Sequence, residues 1–221
     1  QITMEQTINS MPRIGEPAPD FTAITTTGKL QLSEYNKGSW VILFSHPADF
    51  TPVCTTEMSA FAVEEQWFAE RNTKLIGLSI DSIHSHLAWV NNVREKTEVY
   101  MQFPIIADLD MKVANLYGML HPGESSTAAV RAVFIIDPKG IMRLIMYYPL
   151  NVGRNMAEIQ RALIALQTAD EHKCALPVNW QPGDKAIVPP PKTLVEMDER
   201  IANTSYEKVD FYLAKKELSL N

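Results

Sequence analysis

Trp40-Val41-Ile42-Leu43-Phe44-Ser45 is almost unbroken apolar chain, and the seven residues after it, His46-Pro47-Ala48-Asp49-Phe50-Thr51-Pro52, carry two prolines. So short and so apolar a run is what a strand buried on both faces shows. Prolines at its end stop the ladder, because they donate no N–H. From Val53 the spacing turns helical, with Met58, Phe61 and Phe68 on one face until about Arg71. A buried strand, a stiff turn and a helix make half of an alternating α/β unit, with Cys54 in the first helical turn.

The alternation continues. Lys74 to Ile80 fits a second buried strand, and His84 to Thr97 sets Leu87, Val90 and Val93 at helical spacing. Phe103 to Ala107 reads as a short strand and Met111 to Tyr117 as a short helix. Ala132 to Ile136 reads as a strand that stops at Asp137-Pro138-Lys139-Gly140, with Ile141 to Tyr147 as its hairpin partner. Asn155 to Ala169 carries a helical stripe of Met156, Ile159, Leu163 and Leu166, while Phe21 to Thr27 and Leu30 to Tyr35 fit short strands or a hairpin around Gly28. This order predicts an α/β sandwich around a mixed central sheet, of thioredoxin-like layout.

After Asp170 the period is lost: Pro177, Pro182 and Pro189-Pro190-Pro191 punctuate the chain before Thr193 to Ala202 resumes as a short helix. The expected division is a thioredoxin-like domain over 11–170 and a small C-terminal domain or arm over 171–221; the residues before Met11 are left out of the fold reading. Val195, Met197, Ile201, Phe211, Tyr212 and Leu213 are too few for a separate core. The arm should therefore pack on the main domain or on a second copy, making the protein a homo-oligomer, a dimer at least.

Composition excludes several functions. With 20 Lys+Arg against 26 Asp+Glu the net charge is −6, so the basic footprint of a nucleic-acid binder is missing. No apolar run approaches the roughly 20 residues of a membrane span, and no export signal is apparent. Two cysteines, Cys54 and Cys174, are too few for a disulfide scaffold and form no C-x-x-C pair, so a reducing, cytoplasmic setting is expected. His84, His86, His121 and His172 lack carboxylate or cysteine partners at metal-ligand spacing, so neither a metal nor a cofactor is called for.

Cys54 has two readings. Free cysteines are commonly buried and inert, but a thiol at a helix start meets unpaired N–H groups and the positive end of the dipole, which favour the reactive thiolate. Thr51, three residues earlier, can turn its hydroxyl to the same space to donate to, or accept from, a bound oxygen. Pro47 and Pro52 stiffen the turn and help exclude water. His46 can hold a thiolate or shuttle a proton, or can be a hydrogen-bonded structural group.

Pro47, Thr51 and Cys54 match the P-x-x-x-T-x-x-C signature of the peroxiredoxins, within a wider stretch from Phe44 to Glu57 that resembles the family throughout. Ile14 to Phe21 looks like the entry to the family's N-terminal strand, Gly77 to Asp81 like its next core strand, and Arg131 to Asp137 like its late arginine-bearing strand. Ser45-His46-Pro47, Gly153-Arg154-Asn155, Asn179-Trp180 and Val188-Pro189-Pro190-Pro191 are similar to the one-cysteine subgroup with an extended C-terminal domain.

The resemblance implies thiol-dependent reduction of hydrogen peroxide or organic hydroperoxides by Cys54, through a sulfenic acid. It places the family's active-site arginine at Arg131, where a permanent charge favours the thiolate and polarises the peroxide, and the subgroup's second arginine at Arg154. A lone arginine is more often just a surface ion pair; the family position lifts Arg131 above that. Glu57, one turn after Cys54, is placed to orient Arg131, and Thr51 with the N–H groups around Val53 and Cys54 to stabilise the leaving oxygen.

The sulfenic acid must then be reduced. In two-cysteine relatives the resolving residue directly precedes a late proline, whereas here Leu176 precedes Pro177 and Cys174 lies two residues earlier. Cys174 is expected to be non-catalytic and the reductant an external thiol such as thioredoxin or glutathione, although a flexible arm could still carry Cys174 to a sulfenate. An oligomeric chaperone or redox switch using Cys54 is the alternative. A lipase-type role for Ser39 is disfavoured: Lys37 and Val41 replace the glycines of a nucleophile elbow, and the corresponding histidine and aspartate positions hold Ser33 and Lys139.

Overall fold

The computed structural model describes residues 11–219. They divide into two compact units between Arg154 and Asn155. The first holds β1 (Thr22–Thr25), β2 (Gly28–Gln31), α1 (Leu32–Tyr35), β3 (Trp40–Ser45), α2 (Pro52–Ala69), β4 (Thr73–Ser79), α3 (Ile83–Thr97), β5 (Ile105–Ala107), α4 (Lys112–Leu116), β6 (Arg131–Ile136) and β7 (Met142–Tyr148). Its strands form one mixed sheet in the order β2-β1-β5-β4-β3-β6-β7.

The apolar run is β3, all six residues buried, parallel to β4 and antiparallel to β6. Its alternating side chains feed both faces of the sheet. Val41 and Leu43 join a cluster with Ile76, Leu78, Tyr117 and Phe134, while Phe44 stacks on Phe61 of α2 with ring centroids 3.7 Å apart. Ser45 closes the strand: its hydroxyl donates to the Val130 carbonyl at 2.6 Å and accepts from Ala132 N–H at 3.1 Å. That pair of bonds ties the end of β3 to the start of β6, and so sets the loop before Cys54 opposite Arg131.

Two expectations change. Leu30 to Tyr35 is strand only to Gln31 and helix from Leu32, because Leu32 turns into the core and its carbonyl accepts from Asn36 N–H. Ile14 to Phe21 leads into the first strand, which starts at Thr22, and makes one bridge before it, Pro17 to Ile141. On α3 the buried face is His86, Trp89 and Val93, while Leu87 is 48% exposed. The stripe is rotated because His86, a polar residue, has buried partners.

The second unit holds α5 (Met156–His172), β8 (Ala186–Ile187), α6 (Leu194–Ala202), β9 (Glu207–Asp210) and β10 (Leu213–Lys216), the strands forming a small sheet in the order β8-β10-β9. Asn155 and Thr193 cap α5 and α6, each side chain accepting an N–H three residues on. Among the described residues no helix is long and apolar enough to cross a membrane.

Candidate active site

Thr51 takes the N-cap position of α2 and Pro52 the first helical position, where a missing N–H costs nothing. Cys54 follows in the first turn, fully buried, its own N–H and that of Val53 among those for which a helix start supplies no acceptor. The turn before it is tight: Phe50 adopts a left-handed φ of 58°, rare for an aromatic residue. The Thr51 hydroxyl donates to the Ala48 carbonyl at 2.7 Å. Its hydrogen is therefore committed, and its lone pairs are what it offers to an incoming O–H. Pro47, half-buried, sits within this turn.

The positive charge comes from β6. Arg131 Nη1 donates to Cys54 Sγ at 3.2 Å and to Glu57 Oε1 at 2.6 Å, while Nε and Nη2 both reach the Leu150 carbonyl, at 2.9 and 2.7 Å. Arg154 closes on the same carboxylate, its backbone N–H and Nε on Oε2 at 2.8 and 2.7 Å and its Nη2 on Oε1 at 3.0 Å. Its Nη1 donates to the Ala132 carbonyl at 2.8 Å. Gly153 lets this segment approach α2, since a Cβ there would lie 3.4 Å from Val53 Cγ1.

Two guanidiniums face one carboxylate in a buried space. Burial pushes the Glu57 carboxyl up, but the charge and hydrogen bonds of Arg154 and the charge of Arg131 outweigh it and hold the group below the usual carboxylate range. One positive charge is left over, and the sulfur in contact with it is that of Cys54.

His46 is buried beside this cluster, its Nε2 2.7 Å from Asp49 Oδ1. Burial holds its ring in the neutral form against the pull of Asp49. Asp49 in turn meets His86, so a histidine that sequence spacing leaves without a carboxylate has one, from 37 residues away. Asp49, Asp81, His86 and the Leu150 carbonyl are the parts of the site that sequence spacing does not reveal, because each arrives from a different element. Cys174 is half-buried in the second unit, and burial pushes its thiol up. The Ser39 hydroxyl is engaged with the Asn72 side chain at 3.2 Å.

A mixed sheet flanked by helices, with a buried thiol at a helix start and a guanidinium against the sulfur, defines a thiol peroxidase of the thioredoxin-like class. The chain belongs to the AhpC/TSA family, the peroxiredoxins: residues 14–145 match that family, and residues 165–203 match the C-terminal domain of 1-Cys peroxiredoxin. It is 57% identical over 209 residues to peroxiredoxin 2 of Caldanaerobacter subterraneus, covering 94% of each chain. It is 51% identical over 219 residues to a peroxiredoxin of Aquifex aeolicus, covering 95% of this chain and 98% of that one. Among solved structures it resembles a yeast mitochondrial 1-Cys peroxiredoxin, at 43% identity and a TM-score of 0.82 over 94% of this chain and 100% of the other. Peroxiredoxin 6 of Arenicola marina matches at 38% identity and 0.83, over 93% and 97%.

Proposed function

We propose that Cys54 is the peroxidatic nucleophile of this peroxiredoxin, activated by Arg131 and supported by Thr51, Pro47, Val53, His46, Glu57 and Arg154. The contact between Arg131 Nη1 and Cys54 Sγ at 3.2 Å carries the reading. The thiolate attacks the hydroxyl-bearing oxygen of hydrogen peroxide or an organic hydroperoxide: an S–O bond forms, the O–O bond breaks, and sulfur is oxidised to a sulfenic acid. The leaving hydroxide or alkoxide takes a proton and departs as water or alcohol. Arg131 and the first-turn N–H groups stabilise charge on the leaving oxygen, and the Thr51 lone pairs orient the peroxide O–H.

Two equivalents of an external thiol return the sulfenic acid to thiol: the first displaces water to form a mixed disulfide, and the second releases Cys54 as the two reductant sulfurs join in a disulfide. Support for an external reductant is the place of Cys174, which does not precede a proline and whose thiol is held protonated. The yeast relative uses glutathione/thioredoxin systems to resolve its thiol, and a reductant of that kind is assigned here. The chain is read as a cytoplasmic homodimer in which the segment 171–221 serves as the dimerisation arm of the 11–170 peroxidase domain.

The test is consumption of one equivalent of hydrogen peroxide by the reduced protein, against Cys54→Ser. Rapid loss that vanishes in the variant is the expected result. Slow loss in both would replace the peroxidase reading with that of an oligomeric chaperone or redox switch. Intact mass after the reaction should show oxygen gained at a single sulfur, and a disulfide removed by Cys174→Ser would instead make Cys174 the resolving thiol.

A further inference from the structure

One carboxylate, Asp49, is shared by two buried histidines. His46, just past β3, places Nε2 2.7 Å from Oδ1, and His86 of α3 places Nδ1 2.5 Å from Oδ2, which also accepts from Ser85 Oγ at 2.9 Å. On its other side His86 Nε2 lies 2.9 Å from the Ile106 carbonyl oxygen of β5. A carbonyl oxygen only accepts, so that nitrogen carries hydrogen. Burial pushes the Asp49 carboxyl up, but the hydrogen bonds and charges of His46 and His86 hold it well below the usual range. An ionised carboxylate also only accepts, so His86 Nδ1 carries hydrogen too. The same reasoning puts the single hydrogen of neutral His46 on Nε2, and His46 Nδ1 is buried with no hydrogen-bond partner.

We propose that Asp49 and His86 are positioning residues of the peroxidatic site: His86 is held as a buried imidazolium against the Asp49 carboxylate, and the pair fixes His46 as its neutral Nε2–H tautomer with an open Nδ1 lone pair. One carboxylate balances one imidazolium. His86 occupies that position, and a second charge on His46 would face those of His86 and the Arg154 guanidinium. The remaining titratable group facing the cluster is Asp81, beyond β4, whose Oδ2 accepts from Asp49 N–H at 3.0 Å and Ser79 Oγ at 2.6 Å; β5 offers only its carbonyl. The open lone pair leaves His46 an acceptor for a hydrogen beside the peroxidatic site.

His46, Asp49, Asp81 and His86 lie within 4.8 Å of one another and are of metal-binding types. Atoms sharing a tetrahedral zinc at bonds of about 2.0–2.1 Å stand roughly 3.3 Å apart. The 2.5 and 2.7 Å separations at Asp49 fit shared protons, not a shared ion.

The role in peroxide reduction rests on the peroxidase reading, but the protonation pattern can be read without turnover. The reduced full-length protein, labelled with 15N-histidine, is examined by long-range 1H–15N correlation at pH 7.5. Both His86 nitrogens should give protonated-ring shifts, and His46 the pattern of a neutral Nε2–H ring. A non-protonated nitrogen in His86, or a hydrogen on His46 Nδ1, overturns the proposal. As a second readout, His86→Gln removes a charge whose ring lies 6.1 Å from that of His46. The acid limb of the peroxide rate against pH should then move up by on the order of one pH unit; an unmoved limb overturns the proposal. If the variant fails to fold, the wild-type spectrum decides alone, and failure of Cys54 to react with peroxide would leave that spectrum unchanged.

Discussion

Glu57 uses both carboxylate oxygens on two guanidiniums, and its side chain is 4% exposed. Taking away one member of a buried ion pair leaves the other uncompensated, at a cost of about 3–5 kcal/mol. Glu57→Gln should therefore destabilise the protein by about that much at pH 7, measured by urea unfolding. The sign with pH follows from the lowered folded carboxyl. Its contribution is complete above the ordinary value of 4.5 and is lost as pH falls through the folded value. The gap between variant and wild type should accordingly close on acidification below pH 4.5, whereas a gap independent of pH would show that packing, not charge, is what the substitution removes.

Helix α3 shows why one face of an element can be misread. Leu87, Val90 and Val93 have helical spacing, yet the face that enters the core is led by His86 and Trp89. A polar side chain can take a core position once its partners are buried with it, and those partners sit on the loop after β3 and on β5. Val93→Ala should cost roughly 1–3 kcal/mol, and Leu87→Ala stay within about 0.5 kcal/mol, in the same unfolding assay; equal costs would contradict the observed face. Strands β3, β4, β6 and β7 and helices α2 and α5 were legible because their apolar patterns are continuous or periodic over six residues or more. The C-terminal sheet was not: β8 has two residues, and the Glu-Lys-Val-Asp of β9 carries one apolar side chain. In the site, Thr51 and Cys54 are local and visible as spacing. The contact of Arg131 with Glu57, 74 residues apart, is closed by the strand register that Ser45 sets, and only a resemblance anticipates it.

At the scale of the molecule the question is what covers α6 and the hairpin that follows it. No α6 residue is buried. Leu194 is 75% exposed, Val195 68% and Ile201 55%, while Val209 of β9 is 75% exposed and Tyr212 58%. A helix with a polar and an apolar side gains little unless the apolar side is covered. The net charge of −6 sets only a weak, salt-screened repulsion between two copies. Sedimentation velocity at micromolar concentration should give a dimer for the wild type. Ile201→Glu, which introduces a charge where the apolar side would be buried, should shift it to monomer with its unfolding midpoint otherwise little changed. A monomeric wild type would remove the dimer from the reading. A dimer that survives Ile201→Glu would place the contact on another surface, and would leave the exposed side of α6 to a different partner.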